Sequence, residues 1–223
     1  PTVLYEDGRF RMWYSTMPEV ESYDENADHG YACYAESEDG RHWRKPDLGL
    51  TGRRRYPGNN LLSVPGFCMG VVRTLPGGKF KYLGAYIQIL PLDPDVTDVP
   101  GNSNENRGTF IYGSDDGLNW TRLTKVCQHG DNASLMVDPA AGRYLLFQKV
   151  GLMHGLETRR SWIGLQSHDG VHWEGYDGPG RWRECFVADD YDDLLAARRG
   201  MRIADYYGVT VHRVGNLYVS IEN

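Results

Sequence analysis

The sequence predicts an all-β fold assembled from repeated four-stranded antiparallel units, and three observations predict it. One motif occurs three times: Ser37-Glu38-Asp39-Gly40-Arg41-His42-Trp43, Ser114-Asp115-Asp116-Gly117-Leu118-Asn119-Trp120 and Ser167-His168-Asp169-Gly170-Val171-His172-Trp173. Asp-Gly between strand-like flanks signals a hairpin, because those residues tolerate the backbone angles the turn needs. The second observation is a turn followed by a strand-like run upstream of each motif, as in Asp7-Gly8-Arg9-Phe10, Gly77-Gly78-Lys79-Phe80 and Ala141-Gly142-Arg143-Tyr144, with a fourth copy at Val214-Gly215-Asn216-Leu217. The third is composition: 15 Tyr and 6 Trp suit strands, and no sustained 3.6-residue periodicity competes with them.

The repeated unit reads strand, turn, strand, connection, strand, Asp-Gly turn, strand ending near Trp. Four antiparallel strands per unit describe a blade of a β-propeller. Three blades fall at about 1–50, 59–125 and 129–180, with a partial fourth at 201–223, so the chain is expected to be one partial domain of about three and a half blades. The chain begins without Met in strand-like sequence and ends just after a strand-like run, as expected for a fragment. Within each final strand, alternation places Arg41 and Trp43, Leu118 and Trp120, or Val171 and Trp173 on one face. An insertion from Leu90 to Arg107, dense in Pro, Asp, Asn and Gly, reads as a loop. Leu194 to Gly200 would form one short helical turn.

A net charge of −6 argues against a nucleic-acid or anionic-membrane surface. No stretch approaches the roughly 18 apolar residues of a membrane span. The four cysteines have no metal or redox spacing, and the reading expects neither a metal nor a cofactor. Compartment and oligomeric state are left open.

In a propeller the innermost strand of each blade lines the central channel, so residues at its start converge on the axis. Counting back from the turns aligns Leu135-Met136-Val137 with Val209-Thr210-Val211, and four residues before each triplet stands an acid, Asp131 and Asp205. His168 and His172 are four apart, but the equivalent Asp115 and Asn119 could not bind a metal the same way, so both histidines read as hairpin residues. Asp93, Asp95 and Asp98, like Asp189 to Asp193, read as solvated loop rather than a calcium site.

The run Pro1-Thr2-Val3-Leu4-Tyr5-Glu6-Asp7-Gly8-Arg9-Phe10-Arg11-Met12-Trp13-Tyr14 resembles the opening blade of the five-bladed glycoside hydrolases, the invertase-like family thirty-two and the arabinanase/xylosidase family forty-three. Trp43-Arg44-Lys45-Pro46-Asp47-Leu48-Gly49-Leu50, followed by Gly58-Asn59-Asn60, is similar to a bacterial family-thirty-two-like subgroup. The resemblance implies a five-bladed propeller and hydrolysis of glycosidic bonds in an oligo- or polysaccharide, which needs at least two carboxylates. It implies Asp131 as transition-state stabiliser, Asp205 as candidate acid and Glu184, in Glu184-Cys185, as a further candidate. Trp13, Asn132 and Arg160 are candidates for holding the sugar: an aromatic face, an amide and a forked donor. Two alternatives stand beside the hydrolase. One is a non-catalytic propeller that binds carbohydrate or protein. The other is a sialidase-like protein using Arg159 or Arg160, although sialidase boxes read S-x-D-x-G-x-x-W, one residue longer than these.

Overall fold

The computed structural model describes residues 1–16, 30–50, 58–88, 107–127, 131–154, 157–175 and 183–222. Among them the chain is nearly all β, with four-stranded antiparallel, blade-like sheets and a single helix. It divides into two compact units, Pro1–Gln128 and His129–Asn223.

The first unit holds two sheets. One runs β1 (Thr2–Glu6), β2 (Arg9–Thr16), β3 (Tyr31–Ser37), β4 (Leu61–Pro65), each strand antiparallel to the next. The other runs β5 (Phe67–Arg73), β6 (Tyr82–Gln88), β7 (Gly108–Ser114), β8 (Thr121–Cys127) in the same order. The β1–β2 turn pairs Glu6 with Arg9 across Asp7-Gly8. Both turn residues have positive φ, 50° and 80°, the two-residue geometry that matches strand twist. The two sheets bury their facing sides on each other around Trp13, Tyr34, Leu62, Tyr82, Tyr86 and Phe110.

The second unit pairs β9 (Ala133–Asp138), β10 (Arg143–His154) and β11 (Glu157–Ser167) in order. Two short strands, β12 (Glu174–Gly175) and β13 (Arg183–Phe186), share the outer edge of β11. The hairpin β14 (Val209–Val214) and β15 (Leu217–Glu222) packs Val209 and Val211 against Met136, Leu145, Phe147 and Trp162. Between β13 and β14 lies α1 (Asp190–Arg198). Its N-cap Asp189 accepts from the Tyr191 and Asp192 amides at 2.9 and 3.2 Å, and Asp192 accepts from the Asp189 amide at 3.0 Å. This reciprocal capping satisfies amides that a helix start otherwise leaves orphaned. Asp189 to Asp193 are therefore a helix start rather than a solvated loop, and the expected single turn is a nine-residue helix.

The repeated motif differs from expectation in one respect. Each Trp precedes the fourth strand instead of ending it. The Ser hydroxyl accepts from the Gly amide at 2.9, 2.8 and 2.9 Å in the three copies. The Asp carboxylate accepts from the next two amides at 2.8 Å throughout. Amides committed to a side chain cannot enter a strand ladder, so pairing resumes only past the Trp. It resumes at Thr121 and Glu174, but in the first sheet as one bridge, Glu36 to Arg44, with β4 beginning at Leu61. The Arg41/Trp43 face alternation accordingly does not exist, because those residues lie in the turn. Asp93, Asp95 and Asp98, and the insertion up to residue 106, lie outside the described residues.

Each unit ties its two sheets with the same polar clamp. Glu6, at the end of β1, accepts from the Tyr82 hydroxyl and pairs with Arg73 at 3.1 Å. Asp138, at the end of β9, accepts from the Tyr218 hydroxyl and pairs with Arg213 at 2.9 Å. Beside the clamps, the Val71 amide donates to Thr2 Oγ1 at 3.1 Å and the Val211 amide to Ser134 Oγ at 3.2 Å.

Candidate functional site

Period-2 alternation in β10 puts Leu145, Phe147 and Lys149 on one face, the face that packs on β14. Lys149 is thus a cation on an otherwise apolar face, and it is only 5% exposed. A lysine is almost never buried without a partner. Here its Nζ forms an ion pair with Asp131, just before β9, and lies 3.8 Å from the ring centroid of Tyr207. Opposite in register is Trp162, and two residues before it on the same face of β11 stands Arg160. The Arg160 guanidinium pairs with Asp205 at 3.0 Å and approaches the Tyr207 ring to 5.3 Å.

Backbone bonds hold this arrangement together. The Asn132 carbonyl accepts from the Lys149 amide at 3.0 Å and from Gln148 Nε2 at 2.9 Å. Asn132 Nδ2 donates to the Tyr207 carbonyl at 3.5 Å. The segment carrying Asp205 and Tyr207 is anchored from the helix side. Arg159 grips Asp193 with two bonds, at 3.0 and 2.5 Å, and Asp193 accepts from the Ala204 amide at 2.9 Å. These bonds, the Arg159 bond first, hold the Asp193 carboxyl below the ordinary carboxylate range. The Tyr206 hydroxyl donates to Asp192 at 3.0 Å and Trp162 Nε1 to the Tyr206 carbonyl at 3.2 Å.

The structure therefore brings together Asp131, Asn132, Arg160 and Asp205 from the sequence-derived candidates, and adds Lys149 and Tyr207. A readable signal existed for Lys149, a charge inside the run Leu145-Leu146-Phe147-Gln148-Lys149-Val150. None existed for Tyr207, one of many tyrosines. Glu184 is not part of the cluster. It is exposed on β13 opposite Ile163, three strand spacings of about 4.8 Å, or roughly 14 Å, across the sheet from β9. Trp13 requires correction as a sugar-stacking residue. It is fully buried in the first unit, donating from Nε1 to the Gly117 carbonyl at 2.7 Å, so neither ring face meets solvent. His172 and His42 each contact the Asp of their own turn at 2.6 Å, and His168 contacts the Gly142 carbonyl at 3.0 Å.

The outward side of the cluster is chemically mixed. The Asp131 side chain is 45% exposed, that of Arg160 52%, and Tyr207 51%. Asp205 is less open, and Lys149 lies beneath. Two carboxylates face two cations, so the cluster is close to charge-neutral. Each carboxylate is committed to an ion pair, an arrangement suited to accepting hydrogen bonds from hydroxyls and facing developing positive charge.

No family model matches the chain, and no curated protein matches it. Solved structures do. One is an N-acetylgalactosamine deacetylase from F. plautii in complex with blood group B trisaccharide, 12% identical with a TM-score of 0.53, matched over 96% of this chain and 58% of its own. Another is a provisionally named glycosidase from Bacteroides thetaiotaomicron VPI-5482, 12% identical with a TM-score of 0.54, matched over 100% of this chain and 60% of its own. The chain thus spans about three fifths of the length of each. At this identity the likeness is one of fold, and none of these comparisons shows family thirty-two or forty-three.

Proposed function

We propose that this chain is part of a glycan-active protein and that the cluster around Tyr207 is its carbohydrate site. The observation that carries this reading is the convergence of a carboxylate, a guanidinium and a half-exposed aromatic ring, from Asp131, Arg160 and Tyr207. A sugar offers adjacent hydroxyls to forked donors and acceptors, and a C–H face to an aromatic ring. Two solved structures of like fold point the same way: one is a deacetylase of an amino sugar holding a trisaccharide, the other is provisionally named a glycosidase.

The finer reading is a glycoside hydrolase in which Asp131 faces the positive charge of an oxocarbenium-like transition state. Asp205, paired with Arg160 at 3.0 Å, is the second carboxylate that hydrolysis needs. The ion pairing of both carboxylates also favours a second reading, a carbohydrate-binding propeller without hydrolysis. A sialidase-like site gains no support, because Arg159 and Arg160 are already engaged by Asp193 and Asp205.

The test is a panel of neutral and acidic oligosaccharides offered to the natural full-length protein, with cleavage and binding measured separately. Hydrolysis abolished or cut at least about a hundredfold by Asp131→Asn supports the enzyme, on the scale of losing one stabilising group. Binding without cleavage, weakened by Tyr207→Ala, supports the binder. A folded protein that neither binds nor cleaves any glycan overturns the proposal.

A further inference from the structure

We propose that Lys149 is the positioning residue of this site: a buried cation that fixes the Asp131 carboxylate and the Tyr207 ring relative to each other. The inference rests on the carbohydrate reading for its purpose, but its geometry stands without it. Three observations point to Lys149. Its side chain lies on the core face of β10 with almost no exposure, where an uncharged aliphatic residue would pack without the cost of desolvating an ammonium. Its Nζ spans two separate segments, ion-pairing with Asp131 before β9 and sitting over the ring of Tyr207 before β14. Its own backbone is pinned, because the Lys149 amide donates to the carbonyl of Asn132, the residue next to Asp131.

The charged groups around this ammonium come from each neighbouring element. Asp131 precedes β9, Arg160 stands on β11, and Asp205 with Tyr207 precedes β14. Arg160 and Asp205 neutralise each other at 3.0 Å, which leaves Lys149 as the counter-charge of Asp131. An ammonium can engage a carboxylate and an aromatic face at once, since it has three donors and is attracted by the ring quadrupole. Without it, Asp131 and Tyr207 would have no shared partner among the described residues. Their segments would stay linked by the bond from Asn132 Nδ2 to the Tyr207 carbonyl at 3.5 Å, but the carboxylate and the ring would lose their common anchor, and a sugar bridging them would meet a looser pair.

The experiment uses the full-length protein labelled with 3-fluorotyrosine, with the Tyr207 line assigned by Tyr207→Phe. Lys149→Met and Asp131→Asn should each move or broaden the Tyr207 resonance, and Lys149→Arg should restore most of the native line. In parallel, binding of a glycan identified with the unmodified protein should weaken about tenfold or more in Lys149→Met, as expected when a largely buried ion pair loses one partner. The double variant Lys149→Met/Asp131→Asn should bind no more weakly than Asp131→Asn alone, because the two residues act as one unit. A Tyr207 line unmoved in folded Lys149→Met overturns the positioning role, as does an additive double variant. A line that moves in a protein binding no glycan upholds the positioning role and overturns the carbohydrate reading instead.

Discussion

A tyrosine hydroxyl, a carboxylate and a guanidinium meet at the end of the first strand in each unit, and in the second unit their titration can be followed. Donation from Tyr218, assisted by the Ala141 amide and by Arg213 and Arg143, holds Asp138 below the ordinary carboxylate range against the opposing effect of burial. Burial, reinforced by the bond to Asp138, holds the Tyr218 hydroxyl above its usual value. A carboxylate depressed by folding stabilises fully above its unfolded value of about 3.9, and that contribution is lost as pH falls through the lower folded value. A tyrosine raised by folding behaves in the opposite sense, its contribution being lost as pH rises past about 10. Asp138→Asn should therefore lower the urea midpoint at pH 7 and flatten its decline between pH 5 and pH 3. Asp116, Asp169 and Asp193, also depressed, keep part of that decline. A variant whose midpoint falls with acid as steeply as the parent's would show that Asp138 is not one of the groups responsible.

Turns set where the strands of these sheets begin, and one glycine shows how tightly. Gly8 and Gly117 have nearly the same φ, 80° and 78°, yet a Cβ at Gly8 would meet nothing within 4 Å while one at Gly117 would lie 2.7 Å from the Trp13 ring. Both Gly→Ala changes carry the left-handed penalty of about 1–2 kcal/mol. Gly117→Ala should lose about 1–3 kcal/mol more through overpacking, a difference that urea unfolding of the pair reads directly. The turns themselves were legible in sequence, because Ser, Asp and Gly act within a few residues of one another. The start of each fourth strand was not. It depends on which amides the Asp takes out of the ladder, and in the first sheet on a partner strand at Leu61–Pro65, long after the motif. Helix α1 was legible in principle from Asp189 and Asp192. With Ala196 alone among its residues buried, however, it shows no apolar stripe to announce it.

At the scale of the whole molecule, repetition carried the blade-like architecture into view and left the site half visible. Aligning repeats singled out Asp131 and Asp205 by position, and both belong to the cluster. Tyr207 escaped because what distinguishes it is a contact between β10 and the approach to β14, and non-local contacts leave no local period; Lys149 showed only as a charge inside the run from Leu145 to Val150. Trp13 misled for the converse reason: an aromatic at strand spacing reads alike whether it faces a ligand or the neighbouring sheet. The same repetition puts two amides at matching places, Val71 and Val211, each at a seam between sheets and each bound to a side-chain hydroxyl of the adjoining sheet's first strand, β1 or β9. Deuterium uptake at these two protons becomes a gauge of seam opening. A proton held across a seam exchanges only when the seam parts or its acceptor is removed. Thr2→Ala should speed uptake at Val71 alone and Ser134→Ala at Val211 alone, while the Leu83 amide inside β6 keeps its parental rate.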